Sequence, residues 1–128
     1  MKAEQSISLA PVAASARAAR LFVRLFLADP VPPTVAEIAV LLTSELVTNA
    51  FRHAGPHRSS DQLVLHVTST AERVRVEVDD HSVALPTVDD RAFDMQSRRG
   101  MVLVNSLSST WGVEAGPDGK KVWFAIDL

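Results

Sequence analysis

The chain has no cysteine among its 128 residues, which excludes disulfide bonds, thiol nucleophiles and metal sites built from thiolates. It also has no run of basic residues, and its formal net charge is −2. Because nucleic acids and anionic membranes both bind clustered positive charge, neither is an expected partner. Residues 1–11 contain a single lysine and no continuous apolar segment, so we expect no signal peptide.

Long apolar stretches are also scarce, and none is expected to reach the ~18 residues that a transmembrane helix needs. A cytoplasmic location is therefore the expectation. The composition, 47% hydrophobic and 22% charged, is typical of a globular protein. A chain of 128 residues can bury one substantial core but not two, so we predict a single domain spanning residues 1–128.

Hydrophobic periodicity divides the chain into helices and strands. Two long helical patterns come first, and most of the strand patterns follow them. This order predicts an α+β fold, a two-layer sandwich in which one mixed or antiparallel sheet is covered by helices on one face. The predicted elements are a strand at 7–9, helices at 11–28 and 34–55, strands at 62–69 and 73–80, a polar loop at 81–97, a short helix at 100–107 and a hairpin of strands at 111–115 and 121–128.

The second helix has recognisable signals at both ends. Thr34 is a typical N-cap residue, and Glu37 three positions later completes a capping box. Gly55 followed by Pro56 is typical of a helix C-terminus, since glycine adopts the left-handed conformation there and proline does not continue the helix. We therefore expect this helix to begin after Thr34 and to stop at Gly55.

Glu45 and Asn49 are the most unusual residues of this helix. They are four positions apart and so project from one face, in an arc that also contains Ile38 and Leu42. That arc should be buried, and a carboxylate or amide without a partner there costs roughly 1–3 kcal/mol. Either hidden protein groups satisfy both side chains, or this face is open to a ligand. We favour the ligand.

Asp80 is a second polar residue at an apolar position. It shares the alternation of Val74, Val76 and Val78, so its side chain should point inward at the end of the strand. One interpretation is a strand-end aspartate that accepts backbone N–H groups of the following turn. The functional interpretation is an acceptor for the amino group of a planar ligand such as adenine.

The segment before the short third helix is the last candidate. Gly100 follows Arg98 and Arg99 and precedes Met101, and a helix start presents unpaired N–H groups that suit phosphate. The two arginines add bidentate donors. The alternative is an ordinary solvated loop with a flexible glycine.

Together these features fit one nucleotide. Asn49 offers an amide oxygen to Mg²⁺, a cation that prefers oxygen ligands and substrate phosphates. Glu45, one turn away, is placed to act as a general base. Asp80 would hold the adenine, and Gly100 with its helix would hold the phosphates. The histidines are not at metal-ligand spacing from carboxylates, so no other metal is predicted.

The motif from Glu45 through Asn49-Ala50 to His53-Ala54 resembles the N-box of the GHKL superfamily, which includes histidine kinases and gyrase B. The order of N-box, strand-end aspartate and Arg-Gly helix matches as well. Over nearly the whole chain, the sequence is similar to the anti-sigma regulatory factors, serine-protein kinases abundant in actinobacteria. The segments that carry this similarity are LLTSELVTNAFRHAG, VEVDDHSVALP, RRGMVLVNSL, TWGVEAGPDGKKVWFAIDL and ARAARLFVRLFL.

The resemblance implies that Glu45 is the catalytic base, Asn49 the Mg²⁺ ligand, Asp80 the adenine contact and Gly100 part of the phosphate loop. It implies ATP and Mg²⁺ as cofactors and a protein-serine kinase activity. The implied partners are a sigma factor and an anti-anti-sigma protein of the STAS type, which would be phosphorylated on serine. Relatives commonly form homodimers.

Two positions depart from the family pattern. The family's Asp-x-Gly is here Asp80 followed by His81 and Ser82, and its Gly-x-Gly is here Arg98-Arg99-Gly100. A side chain in place of glycine restricts the approach of backbone to a nucleotide. The second function to consider is therefore a non-catalytic GHKL-type binding module that sequesters a partner with weak nucleotide binding or none.

Overall fold

The computed structural model describes residues 2–10, 12–54, 62–80, 95–116 and 119–128, without the side chains of residues 52–54, 95–99 and 116. Three helices and five strands lie in these ranges. In chain order they are β1 (Ala3–Leu9), α1 (Ser15–Phe26), α2 (Pro33–Ala54), β2 (Leu63–Ser69), β3 (Arg73–Asp80), α3 (Met95–Leu107), β4 (Thr110–Gly116) and β5 (Gly119–Asp127).

The strands form one sheet in the order β1-β2-β3-β5-β4, and every neighbouring pair is antiparallel. β3 is the central strand, and its valines explain why. Val74, Val76 and Val78 are each at most 1% exposed. Val76 pairs with Val67 of β2 and Phe124 of β5, so one face of the sheet is continuously apolar. The predicted α+β sandwich is confirmed, and its sheet is antiparallel throughout.

The helices cover that apolar face. α2 packs against β3 and β5, and α1 packs against both α2 and the β1–β2 edge. Leu42, Leu46 and Val47 of α2 are each no more than 2% exposed and fill the space above the sheet. Burial of such side chains stabilises the fold by about 1.5–3 kcal/mol each. The opposite face of the sheet carries mostly polar side chains.

Three helix starts differ from the sequence prediction, and the first is that of α1, which begins at Ser15 rather than at residue 11. α2 begins at Pro33, so Thr34 lies inside the first turn rather than at the N-cap, and the predicted capping box is wrong. Proline is well suited to a first helical position because its fixed φ is helical and its missing N–H has no acceptor there. At the other end α2 reaches Ala54, and Gly55 lies outside the described residues.

α3 begins at Met95, five residues before the predicted start at Gly100. Local propensity marks glycine as a helix boundary, but a glycine inside a helix costs only about 1 kcal/mol relative to alanine. Packing of Val104, which is fully buried, offsets that cost. The last three residues of the predicted 81–97 loop are therefore helical, and residues 81–94 lie outside the described part of the chain.

One expectation about membranes also needs correction. The segment Pro33–Phe51 has 19 residues and a mean hydropathy of 1.3, which is long and apolar enough for a membrane span by composition alone. Its apolar character has another explanation, since this segment is the core helix of the sandwich. Such helices pass the same test, so the segment is weak evidence for a membrane.

Candidate functional site

Glu45 and Asn49 lie one turn apart on the C-terminal half of α2. Both are half-buried, next to the fully buried stripe that includes Leu46 and Val47. The expectation of a buried polar pair is therefore modified: the two side chains sit at the margin of the buried face, where α2 meets α3.

Gly100 of α3 lies directly against this pair. A Cβ atom built on Gly100 would be 2.6 Å from Oε2 of Glu45 and 3.6 Å from Nδ2 of Asn49. Since real side chains do not tolerate 2.6 Å, the glycine is what lets the α3 backbone approach the carboxylate. Three residues that the sequence singled out from two distant segments thus come together in one place.

Gly100 does not lie at the start of α3, where the sequence predicts it. It is the sixth residue of α3, so its N–H lies within the helix, and the N–H groups without intrahelical partners are those of residues 95–98. Any anion at this helix start would face the turn that includes Arg98 rather than Gly100. Arg98 and Arg99 are helical in backbone, and their side chains are not described. Met101 is half-buried and packs against the core.

Asp80 points inward at the end of β3, as predicted, and is 3% exposed. Its neighbour across the β3–β5 pair is Lys120, which is 6% exposed. Burial lowers the pKa of Lys120, and the negative charge of Asp80 opposes this by raising it. His81 and Ser82, the other residues of this motif, lie outside the described residues.

Lys120 is a buried polar residue that sequence reasoning missed. A signal was present, because Lys120 has the same parity as Val122, Phe124 and Ile126, which predicts an inward side chain. The prediction had started the last strand one residue later, at Lys121, and so placed Lys120 in the turn.

A second polar cluster lies on the opposite face of the sheet. His66, Glu77 and Asp79 have ligand-capable atoms within 4.8 Å of one another. Spacing along the sequence does not show this proximity, because strand pairing creates it. Nε2 of His66 is 3.2 Å from Oδ2 of Asp79, and Glu77 accepts a 3.0 Å hydrogen bond from Arg75. These contacts account for the cluster as a cross-strand hydrogen-bond network.

The two carboxylates of this network have opposite pKa shifts. Burial and then the neighbouring Glu77 raise the pKa of Asp79 above 3.8. Burial also raises the pKa of Glu77, but hydrogen bonds with Asp79 and Arg75 and the charges of Arg75 and Lys121 outweigh it, leaving that pKa below 4.5. Asp79 is therefore the carboxylate that keeps its proton to higher pH.

These shifts predict how Asp79→Asn changes stability with pH. Because the pKa of Asp79 is raised in the folded state, its protonated carboxyl contributes to stability at pH values below 3.8. This contribution is lost as the pH rises through the pKa of the folded state. An asparagine keeps the shape, donates to Glu77 and still accepts from His66. We expect a higher unfolding temperature at pH 7 than in the wild type, and a smaller difference at pH 3.5, measured by thermal unfolding at both pH values. A lower unfolding temperature at pH 7 would show that ionised Asp79 stabilises the fold.

The antiparallel sheet with helices on one face, and the close approach of α3 to Glu45 and Asn49 of α2, define the class of this protein as a two-layer α+β sandwich. Residues 9–126 match the family described as Histidine kinase-like ATPase domain. Because the match spans nearly the whole chain, the protein belongs to this family. The predicted membership of the GHKL superfamily is thereby confirmed, whereas the anti-sigma assignment stays a prediction.

Solved structures agree with the family. The histidine kinase domain from the Erythrobacter litoralis EL346 blue-light activated histidine kinase is 26% identical with a TM-score of 0.63, over 91% of this chain and 60% of that chain. The structure of the Erythrobacter litoralis EL346 blue-light activated histidine kinase is 27% identical with a TM-score of 0.65, over 92% of this chain and 42% of that chain. This chain thus spans less than two thirds of either relative. No curated protein sequence matches it.

Proposed function

We propose that this protein is an ATP- and Mg²⁺-binding regulator, an anti-sigma factor with protein-serine kinase activity. The observation that carries the nucleotide site is the contact of Gly100 with Glu45 and Asn49. Glu45 and Asn49, assigned as base and metal ligand, lie on α2, and Gly100 of α3 lies against them although it is more than fifty positions further along the chain. The anti-sigma role rests on the sequence similarity described above, which extends over nearly the whole chain.

The donor atoms at this place suit Mg²⁺. The amide of Asn49 offers an oxygen ligand, and magnesium usually takes one or two protein oxygens plus phosphate oxygens and water. Rotation of the amide group of Asn49 exchanges its oxygen and nitrogen without moving the helix. When bound, the ion would neutralise charge on the transferring phosphoryl group.

Glu45 is the proposed general base. Its carboxylate takes the proton of an acceptor serine hydroxyl as the serine oxygen bonds to the γ-phosphorus of ATP. The bond between that phosphorus and the bridging oxygen breaks, and ADP leaves. Asp80 is assigned to the adenine amino group, while Arg98 and Arg99 are assigned to the phosphates together with the start of α3. The proposed partners are a sigma factor, a STAS-type anti-anti-sigma protein and a second copy of the chain, all in the cytoplasm.

The first test compares thermal unfolding of the wild type and Asn49→Ala with and without Mg-ATP. A ligand at ~100 times its dissociation constant stabilises the native state by about 2.7 kcal/mol, which shifts the unfolding temperature by several degrees. We expect this shift in the wild type, with most of it lost in Asn49→Ala and when EDTA replaces the metal.

The controls separate a specific site from general effects of the additives. Magnesium sulfate without nucleotide should leave the unfolding temperatures of the wild type and of Asn49→Ala unchanged. Without any ligand, the unfolding temperatures of the two proteins should differ only slightly. Absence of any shift at millimolar Mg-ATP would overturn the nucleotide site. The chain would then be a GHKL-type scaffold that sequesters a partner.

A further inference from the structure

Three side chains that can ligate a metal lie together on the face of the sheet opposite the helices. His66 of β2 and Glu77 and Asp79 of β3 have ligand-capable atoms within 4.8 Å of one another. The register pairs His66 directly with Glu77, and Asp79 is the next residue of β3 on the same face. The side chain of His66 is 38% exposed and that of Asp79 is 20% exposed, so an ion can reach the cluster from solvent on the side of His66.

The two carboxylates of this cluster contact each other with no donor between them. Among the described residues, Oδ1 of Asp79 is buried and has no hydrogen-bond partner. Its neighbour is the carboxylate of Glu77, which only accepts hydrogen bonds when it is ionised. Two carboxylates in contact need either a shared proton or a cation between them. The imidazole of His66 favours the cation, because imidazole is a good ligand for zinc and other transition metals.

His66 is held in an orientation that suits a metal ligand. Its Nδ1 lies 2.5 Å from the hydroxyl oxygen of Ser6 on β1, and its Nε2 lies 3.2 Å from Oδ2 of Asp79. When Nδ1–H donates to Ser6, Nε2 presents its lone pair to the carboxylates, and histidine ligands are commonly fixed by such a second hydrogen bond. Two ligands of a tetrahedral zinc ion are about 3.3 Å apart when each bond is about 2.0 Å long, so the spacing of His66 and Asp79 fits zinc. Arg75 donates to Oε1 of Glu77 at 3.0 Å and orients the third ligand.

We propose that His66, Glu77 and Asp79 form a zinc site, with Nε2 of the histidine and one oxygen of each carboxylate as ligands and water in the fourth position. Zinc accepts imidazole and carboxylate ligands in a tetrahedral arrangement, whereas magnesium prefers an octahedron of oxygen atoms. The bound ion takes the place of the proton between the carboxylates and joins β2 to β3. The site lies on the other face of the sheet from α2 and does not depend on the proposed nucleotide function.

The test titrates Zn²⁺ into the chain without an affinity tag at pH 7 and measures the dissociation constant by calorimetry. We expect one saturable site in the wild type. His66→Gln and Asp79→Asn should each bind zinc at least about 10-fold more weakly, since loss of even an outer hydrogen-bond partner lowers metal affinity about 10–100-fold. Glu4→Gln is the matched control, because it removes a carboxylate from the same face of β1 whose side chain is 69% exposed and 3.6 Å from Lys2. This variant should bind zinc as the wild type does, and Mg²⁺ should not compete.

Thermal unfolding supplies a second measurement in which zinc reverses an expected order. Without metal at pH 7, Asp79→Asn is expected to unfold at a higher temperature than the wild type. Zinc at ~100 times its dissociation constant should raise the unfolding temperature of the wild type by several degrees and that of Asp79→Asn much less.

Two results would overturn the zinc site. A wild type without saturable zinc binding does so even if no variant folds, and a shared proton would then join the two carboxylates. Full zinc affinity in both His66→Gln and Asp79→Asn does so as well, because the ion would then be bound elsewhere on the chain. Neither result bears on the binding of Mg-ATP.

Discussion

Glu45→Gln is expected to reduce phosphotransfer by about 10²–10⁴-fold, the usual contribution of a general base, while Mg-ATP still stabilises the fold. The amide has the size and shape of the carboxylate, so the close approach of Gly100 is retained. It accepts a hydrogen bond from a serine hydroxyl but does not take up its proton. Transfer of labelled γ-phosphate to a cognate serine-bearing protein measures the first effect, and the shift in unfolding temperature measures the second.

Glu37→Gln is the matched control for this experiment. Glu37 lies on the same helix, with a side chain that is 66% exposed and 3.6 Å from Arg24. Exposed ion pairs contribute little, so this variant should transfer phosphate at the wild-type rate. If Glu45→Gln also kept the full rate, Glu45 would not be the base. If it lost the Mg-ATP shift instead, Glu45 would act in binding.

Local patterns in the sequence were sufficient for most of the architecture. The alternation of β3 predicted both its bounds and the inward position of Asp80, because side-chain direction in a strand depends only on parity. Helical periodicity located the buried side of α2 only in part. The predicted arc includes Glu45 and Asn49, which are half-buried, whereas Leu46 and Val47 are fully buried. The order of helices and strands predicted one sheet with helices on one face, but it left open whether that sheet was mixed or antiparallel.

What the sequence could not show depends on contacts between distant segments. The approach of Gly100 to Glu45 joins α3 to α2 across more than fifty positions, and no periodicity encodes it. The pairing of Lys120 with Asp80 required the β3–β5 register, since these strands are not consecutive. The start of α3 was misplaced for a related reason: packing of the helix tolerates a glycine that local propensity reads as an end.

Gly100→Ala is expected to leave the fold intact and to reduce phosphotransfer by about 10²-fold, the cost of displacing a reacting group by roughly 1 Å. The new Cβ would lie 2.6 Å from Oε2 of Glu45, so the carboxylate must move. Glu45 is a flexible side chain and can do so cheaply, and alanine favours the helix by about 1 kcal/mol over glycine. The unfolding temperature without nucleotide should therefore stay the same or rise, while the rate of phosphate transfer falls.

Gly112→Ala is the control for this experiment, because we expect it to reduce stability and to leave activity unchanged. Its Cβ would lie 2.9 Å from Nε1 of the Trp123 indole, a rigid ring that cannot turn aside as a carboxylate can. Overpacking of this kind costs about 1–3 kcal/mol, so the unfolding temperature should fall. Gly112 lies on β4, away from the α2–α3 contact, and transfer by the folded protein should be unchanged. If Gly100→Ala loses activity but keeps its stability, and Gly112→Ala loses stability but keeps its activity, the chemistry takes place where α3 meets Glu45. Equal activity losses in both variants would show that transfer depends on general stability, and the close approach of Gly100 would have only a packing role.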